Sequence, residues 1–310
     1  MPTLLDYRRR VRSVKNTQQI TRAMKFVAAA KLRRAQEGVF AARPYARETL
    51  RVLRSAMARI ENPTHPLLER RPEERILALV LTGDRSLCGA FNTNVIRRSL
   101  EFFRRHADKK IEAIAIGKKG RDALRKRGWG FVGEYLYVSD RVDFGRAKEI
   151  SARVSELYSS HEADAVYTIY NEFKSVLVQR LQVEKVLPLD PEIFAPARAE
   201  TAAVAGHGTA LPVEPAAAGG AAILVDYIYE QPPQEIFAGL VPRYLEAEIF
   251  RVLLESSAAE HAARMTAMDS ATNNAAELID QLTLQMNKIR QAGITKELIE
   301  IVSGAASAMA

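Results

Sequence analysis

The sequence predicts an α/β protein in which a long antiparallel coiled coil of N- and C-terminal helices adjoins a central Rossmann-like α/β domain. The first observation is a helix-forming composition at both ends of the 310-residue chain. The second is an alternation of strand-length apolar runs with helical patterns in the middle, which is typical of a mainly parallel sheet. The expected parts are a long helix at 1–60, an α/β domain at 72–226 and a second long helix at 227–310.

The N-terminal segment, from Leu4 to about Arg59, consists mostly of helix formers, interrupted only by Gly38 and Pro44. It is predicted to be one long helix, or two helices joined near Pro44. Apolar residues recur along it at three- and four-residue steps and form one narrow stripe. They are Tyr7, Val11, Val14, Met24, Ala28, Leu32, Ala35 and Val39. A stripe this narrow predicts packing against a partner helix.

The C-terminal segment has neither Pro nor Gly between Pro242 and Gly293. An uninterrupted helix of about fifty residues, roughly 75 Å long, is therefore expected there. The two ends have opposite charge, because residues 1–60 carry a net charge of +12 and residues 227–310 one of −5. Opposite charge favours antiparallel pairing, but each exposed ion pair contributes only ~0.2 to 1 kcal/mol. The apolar stripe is therefore expected to supply most of the stability.

The middle of the chain alternates between strand and helix patterns. The predicted strands are 76–81, 111–116 and 165–170, and the predicted helices are 93–106, 118–126 and 147–162. A further strand pattern at 174–186 follows closely enough to form a hairpin with the third strand. The segment 199–222 is rich in Ala, Gly and Pro, so a flexible surface insertion is expected there.

No catalytic or metal-binding motif is visible in the sequence, and neither a cofactor nor a metal is expected. The loop Thr82–Asn92 follows a predicted strand, where doubly wound sheets bind ligands, yet it lacks both G-x-G-x-x-G and G-x-x-x-x-G-K-[ST]. Cys88 is expected to be a packing residue rather than a nucleophile, and a single cysteine excludes an internal disulfide. The five histidines lack the spacing of zinc ligands.

Composition bounds the class of protein further. No run approaches the ~18 apolar residues that a membrane span needs, and Met1–Asp6 lacks the apolar core of a signal peptide. The net charge of +8 leaves a basic helical nucleic-acid-binding protein as one alternative. A stand-alone nucleotide-binding α/β enzyme is another. The scarcity of aromatic residues among the N-terminal bases disfavours the first, and the missing phosphate motifs disfavour the second.

Three segments carry a family resemblance, in order along the chain. Residues 12–31 resemble the opening helix of the gamma subunit family of F-type ATP synthase, and the loop Asp84–Asn92 is similar to its D-R-G-L-C-G loop. Residues 259–274, followed by 284–305, resemble its C-terminal helix. The resemblance implies a central rotor stalk, not itself an enzyme, that couples proton flow through the membrane ring to rotary ATP synthesis or hydrolysis. The implied partners are three alpha and three beta subunits, the epsilon subunit and the c-ring, without nucleic acid. The implied location is peripheral, on the cytoplasmic face of the bacterial inner membrane.

The resemblance also assigns roles to single residues. Those expected to contact the beta subunit are Met24, Lys25, Arg290, Gln291 and Thr295. Those expected to form a bearing tip, which turns in an apolar sleeve through non-directional contacts, are Leu298, Ile299, Ile301 and Val302. From the residues alone, packing of this tip in the protein's own core is equally compatible. Those assigned to the base near the c-ring and epsilon are Arg8, Arg9, Arg33 and Tyr244.

Two features depart from the family pattern. Ser86 and Ala90 stand where the family loop commonly has glycines. The insertion at 199–222 contains no cysteine, whereas plant-type relatives carry a cysteine-paired regulatory insertion in this domain. Redox control of that kind is therefore excluded.

Overall fold

The computed structural model describes residues 3–60, 64–140, 142–194 and 230–308. Its helices are α1 (Leu4–Met57), α2 (Phe91–Arg105), α3 (Lys118–Arg125), α4 (Phe144–Ser159), α5 (Pro191–Phe194) and α6 (Pro233–Ala308). Its strands are β1 (Arg75–Leu81), β2 (Lys110–Ile116), β3 (Phe131–Tyr135), β4 (Ala165–Phe173) and β5 (Gln179–Leu187). The insertion expected at 199–222 lies outside the described residues.

The chain divides into two compact units, and both long helices contribute to each of them. Unit 1 comprises Met1–Ala30 and Arg264–Ala310, and unit 2 comprises Lys31–Ala263. In unit 1 the start of α1 runs antiparallel to the end of α6, since Thr21 meets Thr272 and Lys25 meets Asp269.

A strict seven-residue repeat runs along both segments of unit 1. On each of them a set of buried and half-buried residues recurs at alternating steps of three and four. On α1 these are Leu4, Tyr7, Val11, Val14, Gln18, Thr21, Lys25 and Ala28; on α6 they are Met268, Thr272, Ala275, Ile279, Leu282, Met286 and Ile289. Such a repeat produces a left-handed two-stranded coiled coil.

Unit 2 is built on a five-stranded sheet of order β3-β2-β1-β4-β5. Strands β1 to β4 are parallel, and β5 runs antiparallel to β4. Helices α2 and α3 pack on one face of the sheet through Val95 and Leu124. The other face is covered by α1, α4 and α6 through Leu53, Ile150 and Leu245. Because both faces are covered, the central strand β1 is apolar almost throughout.

Helix α6 extends further than the uninterrupted run of about fifty residues that the sequence predicts, whereas α1 has about the predicted limits. Helix α1 is continuous through Pro44. Helix α6 begins at Pro233 and passes through both Pro242 and Gly293, so the limits expected at those two residues were wrong. Pro242 cannot donate to the carbonyl of Ala238, four residues earlier. The His65 ring donates to that carbonyl instead, which compensates for the lost helical hydrogen bond.

Candidate functional site

The coiled coil of unit 1 has a polar layer in its middle. The hydroxyl oxygens of Thr21 and Thr272 lie 2.8 Å apart, and Lys25 Nζ donates to Asp269 Oδ1 at 2.6 Å. Thr21 is buried, whereas the Lys25 and Asp269 side chains keep part of their surface in solvent. Polar residues in an apolar seam fix the register of the two helices at some cost in stability.

Lys25, assigned above to the beta subunit, therefore already has a partner within its own chain. Met24 beside it is half-buried. Exposed apolar residues that were not predicted lie on the surface of α1 around this pair, namely Ile20, Phe26 and Val27. The sequence contained a signal for them, because Ile20 and Val27 are apolar, seven residues apart and outside the stripe that packs in the seam.

The end of α6 has no helical partner among the described residues of unit 1. Pairing of Thr21 with Thr272 brings Leu4, the first residue of α1, alongside Ile289, and all residues from Arg290 to Ile299 are exposed. The bearing-tip residues are at least half exposed: Leu298 56%, Ile299 60%, Ile301 68% and Val302 67%. The tip is therefore not packed in a core of the described chain.

Three other residues assigned to the beta subunit, Arg290, Gln291 and Thr295, lie on this exposed stretch. The Thr295 hydroxyl donates to the Gln291 carbonyl at 3.0 Å. Arg290 lies 21 residues beyond Asp269, which is about 30 Å along the helix. The structure thus separates Lys25 and Arg290 into two distinct patches of unit 1.

The four residues assigned to a base are divided between the two units. Arg8 and Arg9 belong to unit 1, whereas Arg33 and Tyr244 belong to unit 2. Arg33 is exposed and pairs with Glu37 at 3.0 Å. Tyr244 is buried and packs edge-on against Phe194, with ring centroids 5.2 Å apart. Burial raises the pKa of its hydroxyl, and the nearby Glu248 carboxylate adds to that shift.

In unit 2 the loops at the carboxyl ends of the parallel strands are joined by Asp84. Its carboxylate accepts hydrogen bonds from the N–H of Lys118 (2.9 Å), the N–H of Tyr137 (3.0 Å) and the hydroxyl of Ser139 (3.2 Å). These groups follow β2 and β3, and Asp84 itself follows β1. Asp84, the first residue of the Asp84–Asn92 motif, thus connects the loops after β1, β2 and β3 and has a structural role at this edge of the sheet.

The crevice beyond β1 and β4, where doubly wound sheets bind nucleotides, is filled by the chain's own α6. Ala259 packs on Cys88 and Phe91 there. The Glu260 side chain lies so close to Gly83 that a Cβ at Gly83 would be 2.7 Å from its Cδ. Cys88 is buried, as expected of a packing residue. The described residues contain no group of three or more His, Cys, Asp or Glu side chains placed to hold a metal.

A buried ionic cluster, which sequence analysis missed, ties α6 to β4 and β5. The Arg251 guanidinium contacts the carboxylates of Glu184 (3.1 Å), Glu248 (2.8 Å) and Glu255 (3.2 Å) and the Tyr170 hydroxyl (3.3 Å). Burial alone would lower the pKa of Arg251, but Glu248 and the other acids raise it. Burial raises the pKa of Glu255 despite the opposing Arg251. Glu248 and Glu255 lie three and four residues from Arg251 on α6, whereas Glu184 and Tyr170 are 67 and 81 residues away, so no local pattern predicts the link to the sheet.

Helix α6 continues beyond the coiled coil as an exposed helix. The α/β domain has its ligand crevice filled by the same helix. These two features define a helical-stalk class of protein. An ATP synthase family model matches residues 3–308. The chain is 50% identical to the ATP synthase gamma chain of Solibacter usitatus, covering 99% of this chain and 100% of that one. It is 44% identical to that of Pelotomaculum thermopropionicum, with 99% of both chains covered.

A solved structure has the same fold. A chain in the F1/c-ring part of the Euglena gracilis mitochondrial ATP synthase aligns with a TM-score of 0.62 at 20% identity, covering 99% of this chain and 94% of that one. The chain belongs to the ATP synthase gamma chain family, the non-catalytic central-stalk subunits of that membrane-associated complex. No described helix of this chain is itself long and apolar enough to cross a membrane.

Proposed function

We propose that this chain is the rotating shaft that couples proton flow through the membrane ring to ATP synthesis or hydrolysis by the catalytic subunits. The observation that carries this proposal is the end of α6, a helix that continues past the described part of the coiled coil and whose apolar side chains, Ile294, Leu298, Ile301 and Val302, are more than half exposed. An isolated protein gains nothing by keeping such a helix in water. A surrounding apolar sleeve would bury it without fixing its angle.

The beta subunit is the proposed partner of the directional donors on unit 1. Arg290 and Gln291 are exposed and offer charged and amide N–H groups. Contacts of this kind form at some angles and break at others. An asymmetric shaft among three alpha and three beta subunits would therefore bias each catalytic subunit toward a different nucleotide affinity, and rotation would permute those states.

Epsilon and the c-ring are the proposed partners of unit 2, at the cytoplasmic face of the bacterial inner membrane. The support is the family membership and the exposed cations of unit 2, of which Arg33 is one. Tyr244, being buried, would act there by shaping the unit rather than by direct contact. The proposed function requires neither a cofactor nor a nucleic-acid partner.

Co-purification tests the proposal. A tagged full-length chain, recovered from gently solubilised membranes, is expected to bring alpha, beta, epsilon and c subunits with it. A matched variant truncated after Ile289 should retain epsilon and the c-ring but recover less alpha and beta, because it lacks the exposed helix. Recovery of the full chain alone would contradict the proposal, as would a truncation that loses all four partners equally.

A further inference from the structure

Two consecutive residues of the loop after β3 hold the two long helices. Asp140 Oδ1 accepts from Lys31 Nζ of α1 at 2.6 Å. The carbonyl of Ser139 accepts from the Ser257 hydroxyl of α6 at 2.9 Å. Both contacts lie within unit 2, whose limits on these helices are Lys31 and Ala263. The loop therefore binds α1 at the first residue of unit 2 and α6 six residues before the limit of unit 2 at Ala263.

The loop is itself held firmly. The Ser139 hydroxyl donates to Asp84, a buried residue of the loop after β1 that also accepts from the Lys118 N–H after β2. The Arg85 guanidinium lies 3.3 Å from the second carboxylate oxygen of Asp140. The hydrogen bond from Lys31 lowers the pKa of Asp140, so this carboxylate is ionised at neutral pH. Helix and sheet edge are thus connected through a short chain of hydrogen bonds and ion pairs.

Helix α6 approaches this edge closely because its side chains there are small. Ser256, Ser257, Ala258 and Ala259 are all buried. The next residue, Glu260, presses its carboxyl group against Gly83. A helix held by short side chains and backbone contacts has little room to slide or to turn about its axis.

These links are more specific than attachment alone requires. The apolar core already fixes α1 and α6 to the sheet through Leu53, Leu245 and Leu253. A partly exposed ion pair such as Lys31–Asp140 adds little to stability. Apolar contacts resist separation but have no preferred direction, whereas hydrogen bonds and ion pairs also resist displacement along the surface.

We infer that the loop segment Ser139–Asp140 is a fixed anchorage through which torque passes between the α/β domain and the two long helices. This inference rests on the proposed rotor function. Lys31 and Ser257 are its positioning residues on α1 and α6. The edge of the sheet that binds ligands in other doubly wound proteins serves here as a mechanical joint.

A disulfide across the joint provides the first test. In the whole complex, Ser139→Cys with Ser257→Cys would link the loop to α6, with the native chain, containing Cys88 alone, as the oxidant control. Once loss of the two introduced thiols confirms the disulfide, a fixed anchorage predicts that ATP hydrolysis and ATP-driven proton pumping of the oxidised variant differ less than twofold from those of the native chain. Pumping that is lost on oxidation and restored by a reductant would show that α6 moves against the loop, which overturns the inference.

Removal of both links provides the second test, which does not depend on disulfide formation. Asp140→Asn with Ser257→Ala should lower the protons pumped per ATP hydrolysed about twofold, while complex recovery and hydrolysis persist. Glu156→Gln, which breaks the 2.6 Å Arg153–Glu156 pair within α4, should leave that ratio unchanged. Full coupling in the double variant refutes the anchorage. Failure of the native chain to assemble would instead refute the rotor function.

Discussion

Lys25 Nζ lies 2.6 Å from Asp269 Oδ1, across the seam between α1 and α6. The family resemblance directs the same lysine toward an acidic segment of the beta subunit. Both uses are compatible, because the side chains of Lys25 and Asp269 retain 33% and 48% of their exposure. Asp269 therefore orients a cation that a second carboxylate can still approach.

If Lys25 has both roles, reversing its charge alone and swapping the charges of Lys25 and Asp269 should have different effects. Lys25→Glu should place two carboxylates side by side, destabilise the coil by about 1 kcal/mol and impair coupling in membrane vesicles. Adding Asp269→Lys should restore the melting temperature of the chain but not the coupling, because the positive charge has moved to α6. Recovery of both properties in the double variant would assign Lys25 to the coil alone.

Truncation of residues 300–310 should leave the thermal stability of the chain unchanged. Within this segment Ile301 and Val302 are 68% and 67% exposed, so these side chains make little contact that unfolding would lose. Assembly with the alpha and beta subunits should nevertheless fall partly. Scanning calorimetry and complex yield measure the two effects. A fall in melting temperature of several degrees would place the tip in a core of this chain.

The Arg251 cluster predicts opposite effects of two substitutions. Arg251→Met should destabilise the chain by about 3 to 5 kcal/mol, because it leaves buried carboxylates without their cation. Glu255→Gln should raise the free energy of unfolding at pH 7 by about 1 kcal/mol, since a neutral amide avoids the burial of a charge. This gain should shrink as the pH falls and Glu255, whose pKa is raised, binds a proton. Urea titrations at pH 7 and pH 5 measure both, and a destabilised Glu255→Gln would contradict this account.

Two glycines with positive φ form a matched pair. At Gly117 (φ +96) a Cβ would lie 2.0 Å from the carbonyl oxygen of Thr82, whereas at Gly128 (φ +84) it would meet nothing within 4 Å. Gly117→Ala should therefore cost about 3 kcal/mol or more, and Gly128→Ala only about 1 kcal/mol. Denaturant unfolding compares them. Equal losses would mean that backbone conformation, rather than the clash with Thr82, sets the cost.

Asp164 predicts a loss of stability in acid. Burial alone would raise its pKa, but hydrogen bonds from the Arg75 side chain and N–H lower it below the ordinary 3.8. Its stabilising contribution is thus present above pH 4 and disappears as the pH falls through the lowered value. Asp164→Asn should cost about 2 kcal/mol at pH 7, and this difference from the native chain should narrow below pH 4. The exposed Asp108→Asn serves as the control, and a difference independent of pH would contradict the ionic origin.

Much of the fold follows from local patterns. The long helices, β1, β2, β4 and the β4–β5 hairpin were recognisable because apolar periodicity is a property of neighbouring residues. Strand β3 was missed, since Phe131–Tyr135 is a short strand at the edge of the sheet, contains Gly133 and is only half-buried. The true limits of α6 were also missed. Pro242 is tolerated because His65, far away in sequence, donates to the carbonyl it leaves free.

Contacts between segments that are distant along the chain could not be predicted from local sequence patterns. Asp84 could be singled out as part of a motif, but its three partners are 34 to 55 residues away. The same holds for Arg251 and Glu184, and for Ser139 and Ser257. The opposite charges of the two ends predicted antiparallel pairing, with the apolar stripe supplying most of the stability. Within unit 1 Lys25–Asp269 is an ion pair of this kind, and the seven-residue repeat places mainly apolar residues along the seam.

The seven-residue repeat shared by α1 and α6 limits how the length of this protein can change. Inserting or deleting one, two, five or six residues in either helix turns the following seam residues away from their partners, and a change of three or four residues locally unwinds or overwinds the supercoil. Only a whole repeat, about 10 Å of helix, preserves the seam, and it must be matched on the other strand. Variation in the reach of such a stalk is therefore expected in discrete steps, by paired insertions of seven residues in segments that are 240 or more positions apart along the chain.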